Sequence, residues 1–174
     1  MTIRGLLKYV MIVVLVVLLA SCTQTDSTLT QAKQELPFPV LYPEEVPEGW
    51  AVDETIYEDR LLVIIFNNNQ EGQIELVQDQ NIQGLDVDEL RNHVLSNVPV
   101  GSEFLVNHEV VEVGEYVGEL AYFTDPISTL QYTFVQKNEL FTENIGPIPY
   151  YQVIGKGVSS DELKEFIHTL EAST

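Results

Sequence analysis

Leu61-Leu62-Val63-Ile64-Ile65-Phe66-Asn67-Asn68-Asn69-Gln70-Glu71-Gly72-Gln73-Ile74-Glu75-Leu76-Val77-Gln78 decides the fold. Leu61 to Phe66 is an unbroken apolar run, short enough for one buried strand. Asn67 to Gly72 is a turn-forming stretch and reads as a hairpin loop. From Gln73 to Gln80 the chain returns as a strand, with Ile74 and Leu76 on one face. Upstream, Trp50, Val52 and Ile56 sit at even spacings among polar residues, the pattern of a half-buried strand. Val46-Pro47-Glu48-Gly49-Trp50 supplies a turn before it, and the prolines of Pro37-Phe38-Pro39-Val40-Leu41-Tyr42-Pro43 forbid a helix.

Downstream a helix is expected, capped by Asp86 with Glu89 at its third position. Leu90, Val94 and Val98 share one face of it, and Pro99 ends it. Phe104 to Val113 and Tyr116 to Phe123 read as two strands around Gly114-Glu115. Leu130, Tyr132 and Phe134 alternate with Gln131 and Thr133, giving another strand. Leu140 to Thr142 follows the turn at Lys137-Asn138, and Tyr150 to Gly155 is the last strand. Adjacent residues of a strand point to opposite faces, so Tyr150 and Tyr151 cannot both enter the main core. Ser159 and Glu162 form a capping box ahead of an apolar stripe of Leu163, Phe166, Ile167 and Leu170. The chain therefore reads as an α+β domain over residues 37–174. It has a curved antiparallel sheet of about six to eight strands with helices on one face.

The first 21 residues read differently. Arg4 and Lys8 precede an apolar run from Tyr9 to Leu19, which ends in the small residues Ala20 and Ser21. This is the three-part pattern of a secretory signal peptide. Leu6 to Ala20 is about 15 residues, interrupted by Lys8, against the roughly 20 that a spanning helix needs. Residues 22–36, with Thr, Ser and Gln prominent, show no sustained apolar period and read as a flexible tether.

Composition narrows the partners. Six of the eight Lys and Arg but all 27 Asp and Glu lie after residue 21, so the exported chain carries a formal charge of −21. Such a surface repels nucleic acid and anionic headgroups. Adaptation to an alkaline or saline exterior accounts for the acidity better than a functional acidic patch does. Cys22 is the only cysteine, so no disulfide framework exists.

Catalytic signatures are missing: there is no G-x-S-x-G, no H-E-x-x-H and no phosphate-binding glycine loop. His93, His108 and His168 are isolated in sequence and read as surface or rim residues. Asp79-Gln80-Asn81-Ile82-Gln83-Gly84 imitates the start of a calcium loop, but its twelfth position is Leu90 where a bidentate Glu is needed. No metal and no cofactor is expected. With 27 carboxylates, close pairs arise by chance, so an acid-base hydrolase finds no support in the sequence. Trp50, Tyr132, Phe134 and Tyr151 are the candidates to line an apolar pocket, with membership of the core as the plainer alternative.

Two resemblances add to this reading. Leu19-Ala20-Ser21-Cys22 resembles the bacterial lipobox, which implies a diacylglyceryl thioether on Cys22 and cleavage just before it. Two acyl chains on one residue satisfy the two-signal requirement for stable anchoring. Leu41-Tyr42-Pro43 with Val46 to Trp50 resembles the opening of an uncharacterised extracytoplasmic domain family. That family is found in Gram-positive lipoproteins and in the C-terminal regions of anti-sigma factors. Gly118-Glu119-Leu120-Ala121-Tyr122-Phe123 with Leu130-Gln131-Tyr132 and Lys137-Asn138 is similar to its middle. Tyr151-Gln152-Val153-Ile154-Gly155 with Leu163, Phe166 and Leu170 is similar to its end. This resemblance implies a half-open sheet, distantly similar to lipoprotein-carrier and sigma-factor-regulator domains, and no catalytic residues.

The expectation is thus a non-enzymatic binding or regulatory module, lipid-anchored through Cys22 at the extracytoplasmic face of the cell membrane of a Gram-positive bacterium. Its partner is an envelope protein. A carrier or sensor of an acyl or lipid-like ligand in the concave sheet is the first alternative. A structural or assembly role in the envelope or in sporulation is the second.

Overall fold

A computed structural model describes residues 27–82, 85–96, 108–124, 127–142 and 148–173. The deciding hairpin forms as β3 (Leu61–Asn68) and β4 (Gln73–Gln78), antiparallel, with Phe66 opposite Ile74. Leu62, Ile64 and Phe66 are buried, whereas Leu61, Val63 and Ile65 on the opposite face are half-buried. Asn68 closes the loop: its Oδ1 accepts from the amides of Gln70 at 2.8 Å and Gly72 at 2.7 Å. Asparagine is favoured in such turns because its side chain can replace a backbone partner.

β2 (Trp50–Glu58) pairs with β3, but the register shifts between Val52 and Glu54. The extra residue reverses the alternation. Trp50 and Val52 face the core before it, and Thr55 and Tyr57 do so after it. Ile56, expected on the same face as Trp50, is therefore turned outward and is exposed. A bulge of this kind on an edge strand also discourages pairing with another chain.

The remaining strands are β1 (Val40–Pro43), β5 (His108–Val113), β6 (Tyr116–Phe123), β7 (Thr129–Gln136), β8 (Tyr151–Lys156) and β9 (Leu170–Ser173). Seven of the nine form one antiparallel sheet in the order β2-β3-β4-β8-β7-β6-β5. The sheet is curved and unclosed. β1 and β9 pair with each other as a separate ribbon. The α+β class and the antiparallel sheet follow the sequence reading. Phe104 to Asn107, expected at the start of β5, and Val98 and Pro99, expected at the end of a helix, lie outside the described residues.

The main core lies on one face of the sheet. Leu62, Ile64, Phe66, Ile74, Leu76, Leu120, Tyr132, Phe134, Tyr151 and Val153 meet Leu163, Phe166 and Ile167 from α3 (Ser160–His168). α3 starts where its capping box places it. The Ser159 side chain accepts from the Glu162 amide, and the Glu162 carboxylate accepts from the Ser159 amide at 2.8 Å. It stops at Thr169, so Leu170, read as the end of its stripe, opens β9 opposite Pro43 instead.

The β1–β9 ribbon is fixed to the sheet by Gln78, which has no solvent exposure. Its amide donates to the Leu41 carbonyl at 2.9 Å and accepts from the Leu41 N–H at 2.8 Å. One side chain thereby satisfies two buried backbone groups that would otherwise be orphaned.

Two differences concern the helices. Residues 27–35, expected as flexible tether, form a helix, α1. Ala32 and Leu36 enter the main core and Leu29 packs against it. Spacings of three and four carry these apolar residues on one helical face, a stripe too short and too weakly apolar to stand out among polar neighbours. The helices also flank both faces. α2 (Val87–Ser96) lies on the side away from α3, where Leu90 joins Val117, Val135 and Leu140 in a second cluster. Asp86 caps it, accepting from the amides of Asp88 and Glu89 at 3.0 Å each. Leu140 belongs to a 3-10 helix, Lys137–Phe141, which takes in the turn expected at Lys137-Asn138. Tyr150 joins this second cluster while Tyr151 enters the main core, as their adjacency requires.

Gly118 sets the spacing of β6 and β7. A Cβ there would stand 2.0 Å from the Thr133 carbonyl oxygen and 2.6 Å from Phe134 Cα. No side chain fits, and the Phe134 ring instead occupies the core at that point, directly across from Gly118.

Candidate functional site

Three of the four proposed pocket residues come together, but in a filled interior. Tyr132 and Phe134 stack with ring centroids 5.0 Å apart, Tyr116 meets Phe134 edge-on at 5.0 Å, and Tyr151 lies 5.8 Å from Phe134. Tyr132, Phe134 and Tyr151 are each at most 1% exposed. The expected ligand-lining role for these three is therefore corrected: they are core. Their register places them on adjoining strands, and the β1–β9 ribbon and α3 pack over the face of the sheet they occupy.

Each tyrosine in this group donates its hydroxyl to a backbone carbonyl of another element. Tyr116 reaches Leu170 at 2.9 Å, Tyr132 reaches Val111 at 2.9 Å and Tyr151 reaches Pro39 at 2.8 Å. Burial pushes the Tyr116 phenol up to about 12, reinforced by the carboxylates of Glu115 and Glu171. Burial raises Tyr132 and Tyr151 further still. None of the three supplies a phenolate or a ready proton at neutral pH.

Trp50, the fourth candidate, is half-buried. Its ring lies 6.3 Å from that of Phe166, and it lines a shallow cleft of about 180 Å³ with Asn68, Gln70 and Glu162. A larger half-open cleft, about 440 Å³, sits at the tip of the β5–β6 hairpin. Glu115, Tyr116, Gln136, His168 and Glu171 line it, and Leu170 contributes to its wall. Gly114 turns the hairpin with φ +57, and a Cβ on it would stand 3.0 Å from His168 Nδ1. Sequence spacing could not reveal this cleft, because β9 was hidden in the apparent stripe of α3. Its lining brings polar groups together without a nucleophile paired to a base.

The other titratable groups have structural neighbours. Glu112 is bridged by Lys137 and by His93, whose Nε2 lies 3.7 Å away, and Lys137 also donates to the Gly114 carbonyl at 2.9 Å. These contacts join α2, β5 and the hairpin tip. Burial, with Glu89 nearby, raises the Glu119 carboxyl above the usual range. On the same face of the sheet, away from the α2 cluster, Lys156 pairs with Glu75. His108 and His168 are exposed, and His93 is partly buried. In the calcium-like segment the Asp79 carboxylate accepts from the Asn81 backbone and side chain at 2.8 and 2.9 Å. That is a local turn, while Gln83 and Gly84 lie outside the described residues. Among the described residues, no three His, Cys, Asp or Glu side chains are grouped to hold a metal ion. Among them, too, no helix is long and apolar enough to cross a membrane. Cys22 lies outside the described residues.

Compared with family profiles, curated proteins and solved structures, the chain matches none.

Proposed function

We propose that this protein is a lipid-anchored, non-enzymatic interaction module of the extracytoplasmic membrane face, and that it engages an envelope partner with its outer surface. The observation that carries the surface part of this reading is the closed, aromatic-rich core face of the sheet. Tyr132, Phe134 and Tyr151 leave no exposed wall for an acyl chain, and the hydroxyls of Tyr132 and Tyr151 donate to the carbonyls of Val111 and Pro39. This weighs against the carrier alternative. The anchor rests on Leu19-Ala20-Ser21-Cys22 behind the apolar run. The acidic surface favours a protein partner over nucleic acid.

Membrane fractionation of the Cys22→Ala variant tests the anchor. The wild type is expected in the membrane fraction with a diacylglyceryl adduct on Cys22, and the variant is expected to be released or to keep its first 21 residues. A variant that remains in the membrane at full mature size contradicts the reading.

A further inference from the structure

The helical state of residues 27–35 changes what the anchor does. Only Thr23, Gln24, Thr25 and Asp26 separate Cys22 from Ser27, where the described helix begins. Covalent geometry limits these five residue steps to about 17 Å in any conformation. A domain of this size has a radius of gyration of about 15 Å, so the leash is shorter than the domain is wide. The N-terminal end of α1 is therefore held within about 17 Å of the lipid-bearing residue whenever Cys22 carries lipid.

The outer face of α1 has a matching chemistry. Leu29, Ala32 and Leu36 face the core. Ser27, Thr30, Gln31 and Gln34 are exposed, and their spacings of three, one and three place them on the opposite side. These four side chains carry no formal charge, in an exported chain of formal charge −21; the exposed Lys33 and Glu35 flank them, and Gln31 Nε2 donates to the Glu35 carboxylate at 3.0 Å. An acidic module bound to an anionic membrane is repelled wherever its carboxylates approach the headgroups. A stripe of uncharged side chains at the leash end meets anionic headgroups with less repulsion than a carboxylate-bearing surface does.

We propose that the Ser27, Thr30, Gln31 and Gln34 face of α1 rests against the lipid headgroup layer and fixes the orientation of the domain on the membrane. The occupant of this face is the bilayer that holds the Cys22 lipid, so the inference rests on the proposed anchoring.

The test uses the full-length lipidated protein in vesicles of phosphatidylglycerol and phosphatidylethanolamine. A fluorophore is placed on Gln34→Cys, whose thiol is the only free one once Cys22 is lipidated. A fraction of the lipids carries a headgroup nitroxide, which quenches at short range. The expected result is loss of most of the fluorescence. Recovery is expected when a long Gly-Ser segment is inserted between Thr25 and Asp26. It is also expected when Thr30→Glu and Gln31→Glu are introduced, with circular dichroism confirming the fold. Intact mass spectrometry of the same samples reports the lipid on Cys22. A lipidated, folded protein that is not quenched, or is quenched equally with the two added charges, overturns this inference and leaves the anchor standing. That outcome covers the case in which a partner protein occupies the face. A protein without lipid on Cys22 overturns the anchor and this inference together.

Discussion

The two faces of the seven-stranded sheet are built from the same strands and end differently. Beneath α1, the β1–β9 ribbon and α3, every strand from β3 to β7 sends fully buried side chains into one aromatic-rich core. On the opposite face, α2 and the 3-10 helix cover only the part around Val117 and Val135. There Val63 and Val77 sit opposite each other, and Ile65 and Ile154 flank Glu75, all half-buried and outside both clusters. A concave sheet becomes a ligand cup only if its covering elements stand off. Here they close down, and the barer face is the one with Lys156, Glu75, Gln73 and Gln131 among its aliphatics. The proposed surface recognition fits this division better than enclosure of a ligand does.

The comparison can be broken most severely at Gly118. Gly118→Val must displace the Thr133 backbone and Phe134 together, and the expected outcome is loss of cooperative unfolding by circular dichroism. A cooperative transition near that of the wild type would show that β6 and β7 are not as close as described. Next, Phe134→Ala should cost about 3–5 kcal/mol in urea denaturation, the usual range for a buried phenylalanine. Ile154→Ala on the open face should cost only about 1 kcal/mol. Equal losses would erase the distinction between the faces.

Alkaline titration sharpens the same contrast. A phenol raised by burial contributes stability fully below its ordinary value of 10.0, and the contribution is lost as pH rises through the folded value, about 12 for Tyr116. Phenolate absorbance should therefore appear in two stages. The more exposed tyrosines titrate first, and Tyr116, Tyr132 and Tyr151 ionise together with unfolding. A single stage near the ordinary value, with the fold intact, would mean that the core admits water.

The smallest effect concerns α3. Ser159→Ala removes one half of the capping box and should cost about 1 kcal/mol. The hydrogen bonds from Ser159 lower the Glu162 carboxyl. Its stabilising contribution is thus present above the ordinary carboxylate value of 4.5 and is lost as pH falls through the lower, folded value. In Glu162→Gln that acid dependence should disappear while stability at lower pH changes little.

Much of the fold was legible because its signals are local. The hairpin of β3 and β4, the cap of α2 at Asp86 and the capping box of α3 each occupy a few adjacent residues. The parts that were missed depend on distant ones. α1 is helical because Ala32 and Leu36 find the main core, which their polar surroundings do not announce. Leu170 leaves its helix because β1 offers a partner at Pro43. The bulge after Val52 reverses Ile56 without any change in apolar spacing. The candidate site was the least legible feature. A strand aromatic reads identically whether its face is open or covered, and what covers Tyr132, Phe134 and Tyr151 comes from residues 36–43 and 163–170.

Native mass spectrometry of the protein, purified from its own host without exchange of bound lipids, tests the filled core most directly. The account predicts a single species with the mass of the processed chain plus the proposed lipid on Cys22. A second, noncovalently held acyl ligand that protects Tyr132 and Tyr151 from titration would contradict it and return the closed face to the role of a cup.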